Sequence, residues 1–181
     1  MKPTHFAAAI LAGSAILAAS PVMADDPIAT QHDMTVSLRV YDECTISTTN
    51  LTFPAVGIIA SAVDGAASVT VRCTNDSPFE VGLSAGLNSG VSPSVANRHM
   101  LRSSGVGIES VKYDLYTDSQ RTAEWGNTVG DDTYVVESAQ HNDMVIPVYG
   151  QIEAGQNVPA ASYEDTITAT VWYAAGLTPT P

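Results

Sequence analysis

The sequence has few basic residues and little charge of either sign. Its 181 residues include 7 Lys and Arg against 19 Asp and Glu, a net charge of −12, and only 14% of residues are charged. A surface that binds nucleic acid needs clustered cations to neutralise phosphates, so the scattered basic residues argue against nucleic acid or anionic lipid as a partner. The 45% of hydrophobic residues argues against disorder, which combines high net charge with few apolar residues.

Long apolar runs are also scarce. The longest covers residues 6–19 and is too short and too rich in alanine for a stable membrane span. It follows Lys2 and precedes Val22-Met23-Ala24, a small-residue cleavage motif. We therefore predict a secretory signal peptide over residues 1–24 and no membrane span in the exported chain.

Cysteine is limited to Cys44 and Cys73. An even number of cysteines in an exported chain favours one disulfide, because the compartment is oxidising. Two free buried thiols are the alternative.

Short alternating runs rich in Val, Thr and Ile are what the chain has in abundance. Apolar and polar residues alternate over 34–40, 69–72, 81–83, 111–115 and 166–173. Turn signals such as Asp64-Gly65 and Asn88-Ser89-Gly90 separate these runs. Period-2 alternation in β-branched residues predicts strands, and many short strands predict an all-β, antiparallel β-sandwich.

The organisation that follows is a single domain with two distinct ends. Residues 25–41 form an N-terminal segment that starts polar and ends in an amphipathic strand over 34–40. Residues 42–173 form the sandwich domain, and residues 174–181 a flexible, proline-containing tail.

No set of residues suggests catalysis. The histidines outside the signal peptide, His32, His99 and His141, lack metal-ligand spacing, and no Gly-x-Ser-x-Gly motif is present. We therefore expect no enzyme, no metal and no cofactor.

Two weaker alternatives involve acidic and aromatic residues. Asp131, Asp132 and Asp143 could form a calcium loop, although a solvated surface is favoured. Trp125 and Trp172 could belong to a sugar-binding platform, although packing within the sandwich is favoured.

The alternating N-terminal segment allows two interpretations. It is either the first strand of its own sandwich, which composition alone favours, or a donor that completes the sheet of a neighbouring subunit. In the second case Met34, Val36, Leu38 and Val40 would enter the core of the neighbour.

The ordered motifs of the chain resemble the spore coat protein U domain family, which includes pilin subunits of archaic chaperone–usher systems. The resemblance lies in Leu51-Thr52-Phe53, residues 69–74, Arg98 with Met100, residues 113–118 with Trp125-Gly126, and residues 148–173. It implies an immunoglobulin-like sandwich that lacks its final strand and is completed by a donor strand.

The resemblance also implies a function and a set of partners. The chain is expected to be exported through the periplasm to the cell surface as a pilus subunit. Its partners would be a periplasmic chaperone, an outer-membrane usher and identical or related pilin subunits. The edge that accepts first the chaperone and then the donor would be the last strand, with Ile167, Ala169, Val171 and Tyr173. A secreted binding module or adhesin, and a spore or cell coat component, are the alternatives.

Overall fold

The computed structural model of the chain describes residues 28–74, 76–103 and 108–174. The predicted signal peptide and residues 175–181 of the predicted tail lie outside the described residues. The described elements are short strands and one 3-10 turn, Val95–Asn97. The strands are β1 (Cys44–Thr48), β2 (Val63–Cys73), β3 (Phe79–Leu83), β4 (His99–Arg102), β5 (Ser110–Lys112), β6 (Asp114–Tyr116), β7 (Tyr134–Val136), β8 (Met144–Ile152), β9 (Tyr163–Glu164) and β10 (Ala169–Tyr173).

All the strand pairs described are antiparallel. One sheet has the order β1-β2-β8-β6, a second has the order β10-β3-β7, and a third has the order β5-β4-β9. The predicted all-β, antiparallel fold is therefore confirmed. No helix among the described residues is long and apolar enough to cross a bilayer.

The core lies between the inward faces of the first two sheets. On β2 and β8 the buried residues alternate with exposed ones, as the period-2 pattern predicts. The inward side chains of both sheets form one apolar cluster, which includes Val69, Val71, Val81, Leu83, Ile146 and Val148.

Two paired glycines make room in this core for the segment that follows β1. Gly65 on β2 is opposite Gly150 on β8. A Cβ at either position would crowd the side chains of Leu51 and Phe53. The segment after β1 therefore packs directly onto the backbone of the sheet, and Phe53 makes an edge-on contact with Tyr113 at 6.4 Å between ring centroids.

Two predicted strands differ in detail from the structure. The run 111–115 is two strands, because the amide of Tyr113 donates to the carbonyl of Arg98 where the chain leaves β5 and enters β6 in another sheet. The last strand begins at Ala169 rather than residue 166. Before that point the chain bonds to Ser84 and Leu87, which lie beyond the end of β3.

The described part of the N-terminal segment, residues 28–41, contains no strand in the single chain. The chain divides into one unit that ends at Leu38 and a second that begins at Arg39. Residues 28–43 have no β-pairing, and β1 begins at Cys44. The amphipathic strand predicted over 34–40, and with it the interpretation as the first strand of its own sandwich, is thus not found in this structure. Alternation alone cannot form a strand when no neighbouring strand supplies hydrogen bonds.

The disulfide between Cys44 and Cys73 is present, and the alternative of two free thiols is wrong. The two residues are directly opposite each other on β1 and β2. The bond therefore holds β1, an outer strand of its sheet, against β2, the one described strand that pairs with it.

Replacing both cysteines by serine should lower the free energy of unfolding by about 3–4 kcal/mol, because the bond closes a loop of about 30 residues in the unfolded chain. Urea unfolding followed by fluorescence would measure the loss, with the reduced wild-type chain as the control. A reduced wild-type chain as stable as the oxidised one would contradict this expectation.

Candidate functional site

An open groove of about 1040 Å³ exposes part of the core of the sandwich. Its two walls are the segment 48–59, which follows β1, and the segment 156–169, which leads into β10. Its floor consists of apolar side chains from the sheets, namely Val69, Leu83, Val111, Leu115, Val148 and Ile152. The groove is larger than most small-molecule pockets, which occupy roughly 300–1,000 Å³, and its interior is continuous with the core.

The last strand shows that the core is incomplete on this side. Ile167, Ala169 and Val171 point toward the core but are only partly buried. Their partners on β3, including Leu83 opposite Ala169 and Val81 opposite Val171, are buried. Apolar side chains are therefore available to a further element beside the last strand.

On the side that faces the groove, the backbone of the segment leading into β10 also lacks hydrogen-bond partners. The carbonyls of Glu164, Thr166 and Thr168 accept bonds from the Asn88 side chain and from the Leu87 and Ser84 amides, respectively. These bonds all lie on one side of the chain. Because successive residues of a strand direct their backbone groups to opposite sides, the odd-numbered residues direct theirs to the groove.

The same pattern continues into β10. The amide of Leu83 donates to Gly126 and its carbonyl accepts from Arg98, so neither group bonds to the opposite residue, Ala169. Ala169 and Val171 therefore direct their N–H and C=O groups away from β3, and β10 has no other hydrogen-bonded neighbour among the described strands. The groove-facing edge of residues 163–169 is thus open, whereas the other side of Tyr163–Glu164 pairs with β4.

Asp165 fixes the wall from which this edge begins. Its carboxylate accepts a hydrogen bond from the Tyr113 hydroxyl at 2.7 Å. It also accepts bonds from the amides of Leu87 and Thr166 and from the side chain of Asn88. Burial and the bond to Asp165 raise the pKa of Tyr113 above its usual value, so the phenol stays a donor at physiological pH.

A glycine makes this arrangement possible. Gly86 has φ of +86°, and any side chain there would collide with the carboxylate of Asp165. The left-handed backbone and the missing Cβ let the turn after β3 lie against the wall of the groove.

The far end of the groove is held by contacts around the loop after β8. The amide of Gly155 donates to the carbonyl of Ile59 at 2.7 Å, which joins the two walls. The side chain of Gln156 bonds to both the N–H and the C=O of Lys112, each at 2.8 Å, and so pairs with the outer edge of β5 as a strand would.

Behind the floor, Arg98 is fully buried and bonds to backbone carbonyls. It donates to Leu83, Ser84 and Trp125 at 2.7–3.0 Å. Burial lowers the pKa of this guanidinium. Trp125 is also buried, and its indole N–H donates to the carbonyl of Val81 at 2.8 Å. Trp125 is therefore a packing residue, as favoured above, and the sugar platform is wrong for it.

The other sequence candidates are not brought together. Asp143 pairs with Arg72, whereas Asp132 accepts from the amide of Thr128. Within the described ranges, no group of three His, Cys, Asp or Glu residues could hold a metal ion. Trp172 lies on the outer face of its sheet, with its ring against Gly82.

The predicted acceptor and donor residues have different surroundings. Ile167 and Ala169 line the groove, Val171 lies next along the same edge, and Tyr173 is exposed at its end. The four apolar donor residues are strongly exposed, Met34 at 84%, Val36 at 87%, Leu38 at 89% and Val40 at 68%. Sequence reasoning did not assign roles to Asp165, Gln156 or Arg98, although each lies in a motif that carries the family resemblance.

Comparison with known proteins finds relatives that are similar in sequence. Residues 30–170 match the family model described as Spore Coat Protein U domain. Protein U of Myxococcus xanthus is 32% identical over 122 residues, which cover 66% of this chain and 67% of that protein.

A solved structure is similar as well. It is the chaperone–tip adhesion subunit pre-assembly complex CsuC–CsuE from the archaic chaperone–usher Csu pili of Acinetobacter baumannii. The matched chain is 25% identical, with a TM-score of 0.51 over 72% of this chain. This chain spans 39% of the length of that relative. The match supports the immunoglobulin-like sandwich predicted from the sequence.

Asp165→Ala should destabilise the domain by about 2–4 kcal/mol, because it leaves the buried Tyr113 hydroxyl without an acceptor and removes the bonds to the Thr166 amide and the Asn88 side chain. Tyr113→Phe is the matched control: it removes one of these bonds and should cost about 0.5–1.5 kcal/mol. Urea unfolding measures both. Equal losses for the two variants would show that Asp165 does not organise the wall beyond its bond to Tyr113.

Proposed function

The chain belongs to the Spore Coat Protein U domain family, and from that premise we propose that it is a structural subunit of a surface fibre, polymerising by donor-strand complementation. The observation that carries the proposal is the open groove beside an unpaired strand edge. In this proposal the segment 25–41 of one copy fills the groove of the next.

The shape of the exposed segment suits the groove. Met34, Val36, Leu38 and Val40 recur every second residue, so in a strand all four point to one face. Burying each would contribute roughly 1.5–3 kcal/mol, of order 6–12 kcal/mol together before ordering costs. The unpaired N–H and C=O groups of residues 163–169 supply the hydrogen bonds that hold the inserted strand.

The same features imply partners during export. A long open edge next to exposed apolar residues is a template for aggregation. We infer that a periplasmic chaperone covers the groove before assembly, in line with the chaperone complex of the Csu relative. An outer-membrane usher would then exchange the chaperone for the donor segment of the next copy and deliver the chain to the cell surface. We infer a structural role and no catalysis.

A coat layer is the second candidate, because the family description names a spore coat. A coat subunit would use the same groove and differ only in where the polymer is deposited. Electron microscopy of the producing cells separates thin filaments from a continuous layer.

Two blocking variants test the proposal. Leu38→Asp puts a charge on the donor face, and Ala169→Arg puts one in the groove. Each variant alone should stay monomeric in size-exclusion chromatography with light scattering, whereas the exported wild-type chain forms polymers. Leu38 is exposed in the single chain, so its variant should unfold at the same temperature as the wild-type chain before it polymerises.

Mixing the two variants sharpens the test. The Leu38→Asp copy retains a free groove, and the Ala169→Arg copy retains a competent donor segment. An equimolar mixture should therefore give a 1:1 dimer and no longer species. Polymers from either variant alone, or a mixture that stays monomeric although both variants are folded, would refute the proposal.

A further inference from the structure

The basic side chains of the described residues have partners, with one exception. Arg39 is exposed and makes no ion pair or hydrogen bond there. Each of the others bonds to a carboxylate or to carbonyls: Arg72 to Asp143, Arg102 to Glu109, Lys112 to Asp114, Arg121 to Asp64, and Arg98 to three carbonyls. The chain has a net charge of −12, yet the one arginine of the described residues without a carboxylate or carbonyl partner lies beside the donor residues. This position requires an explanation.

The position of Arg39 follows from the alternation. If Leu38 and Val40 point into the groove of another copy, Arg39 between them points to the outer face of the sheet. It is also the only Lys or Arg between residues 25 and 43. In that arrangement Arg39 contacts one of the outward-pointing residues along the accepting edge of the next copy.

One carboxylate lies in that outward row. Tyr163, Ile167 and Ala169 pack toward the core, so the even-numbered residues of the same segment point outward. They are Glu164, Thr166, Thr168, Thr170 and Trp172. Glu164 is exposed, and its carboxylate has no partner in the described part of the chain.

The direction of the donor strand determines whether these two charges meet. Residues 163–169 of the groove wall and residues 34–40 of the donor are both seven residues long. An antiparallel alignment of the two places Met34 opposite Ala169, Val36 opposite Ile167 and Arg39 opposite Glu164. A parallel alignment of the same residues places Arg39 opposite Thr168, four residues away from Glu164.

We propose that Arg39 of one copy pairs with Glu164 of the next, so that the donor lies antiparallel to residues 163–169 in a single register. The inference rests on the proposed function and names the residues that select its geometry. A directly opposed pair of unlike charges stabilises two antiparallel strands, whereas like charges there destabilise them. Since a shift by two residues preserves the apolar face, only the outward charges distinguish one register from the next.

Charge reversal tests the pair in the full exported chain. Arg39→Glu should slow polymerisation about tenfold, measured by light scattering at low salt, because it brings two carboxylates together. Glu164→Arg should slow it to a similar degree. The double reversal should return the rate to within about threefold of wild type, and 0.5 M NaCl should shrink all these differences. Glu137→Arg, at an exposed site after β7, is the control and should polymerise normally.

Crosslinking tests the direction independently. Residues opposite each other on antiparallel strands have Cα atoms about 4.5–5.5 Å apart, within disulfide range. Arg39→Cys combined with Glu164→Cys should give covalent ladders between copies on a non-reducing gel. Arg39→Cys combined with Thr168→Cys, which the parallel alignment would place opposite each other, should not. Ladders only from the second combination would overturn the antiparallel alignment.

The outcomes separate this inference from the proposed function. If Arg39→Glu polymerises at the wild-type rate, or the double reversal fails to recover, the ion pair is wrong while donor-strand polymerisation stands. If Leu38→Asp also polymerises normally, the proposed function itself fails.

Discussion

The unpaired backbone edge along residues 163–169 is the constraint on which the rest of the molecule depends. A strand edge without a partner and a core without a cover are each unfavourable. Here they coincide, because the residues whose backbone faces the groove are also the residues whose side chains face the core. A single inserted strand would form the missing hydrogen bonds and cover the apolar surface at once. The edge and the groove together therefore make one binding site.

Around the groove, by contrast, exposed backbone groups have side-chain partners. The outer edge of β5 is paired by the side chain of Gln156, which satisfies both backbone groups of Lys112. The wall of the groove is held by Asp165 and by the glycine turn that packs on it. The domain therefore rigidifies the surroundings of the open edge and leaves the edge itself without a substitute partner. A rigid, preformed groove lowers the ordering cost of binding, since only the incoming segment must become ordered.

The alternation of apolar residues was sufficient to predict an antiparallel sandwich and strands that overlap β2, β3 and β10. It also favoured a first strand over 34–40, which the single chain does not form. It could not predict the break at Tyr113, because the alternation of residues 111–115 is the same whether the chain stays in one sheet or crosses to another. Nor could it show that Arg98 is buried, since a guanidinium bonded to three carbonyls has no periodic signature. The even count of cysteines predicted a disulfide, but only the strand register shows that it locks β1 to β2.

The proposed assembly offers one explanation for two features of the chain, its acidity and its small number of arginines. Copies that each carry a net charge of −12 repel one another, although salt screens the repulsion beyond about 8 Å. Repulsion of this kind opposes unspecific contacts between open grooves. Productive association then requires that attraction be local and directional. In the proposed assembly, a segment with four apolar residues on one face and one arginine on the other would meet that requirement, because it would bury its apolar face in the groove and bring its positive charge to Glu164 of the next copy.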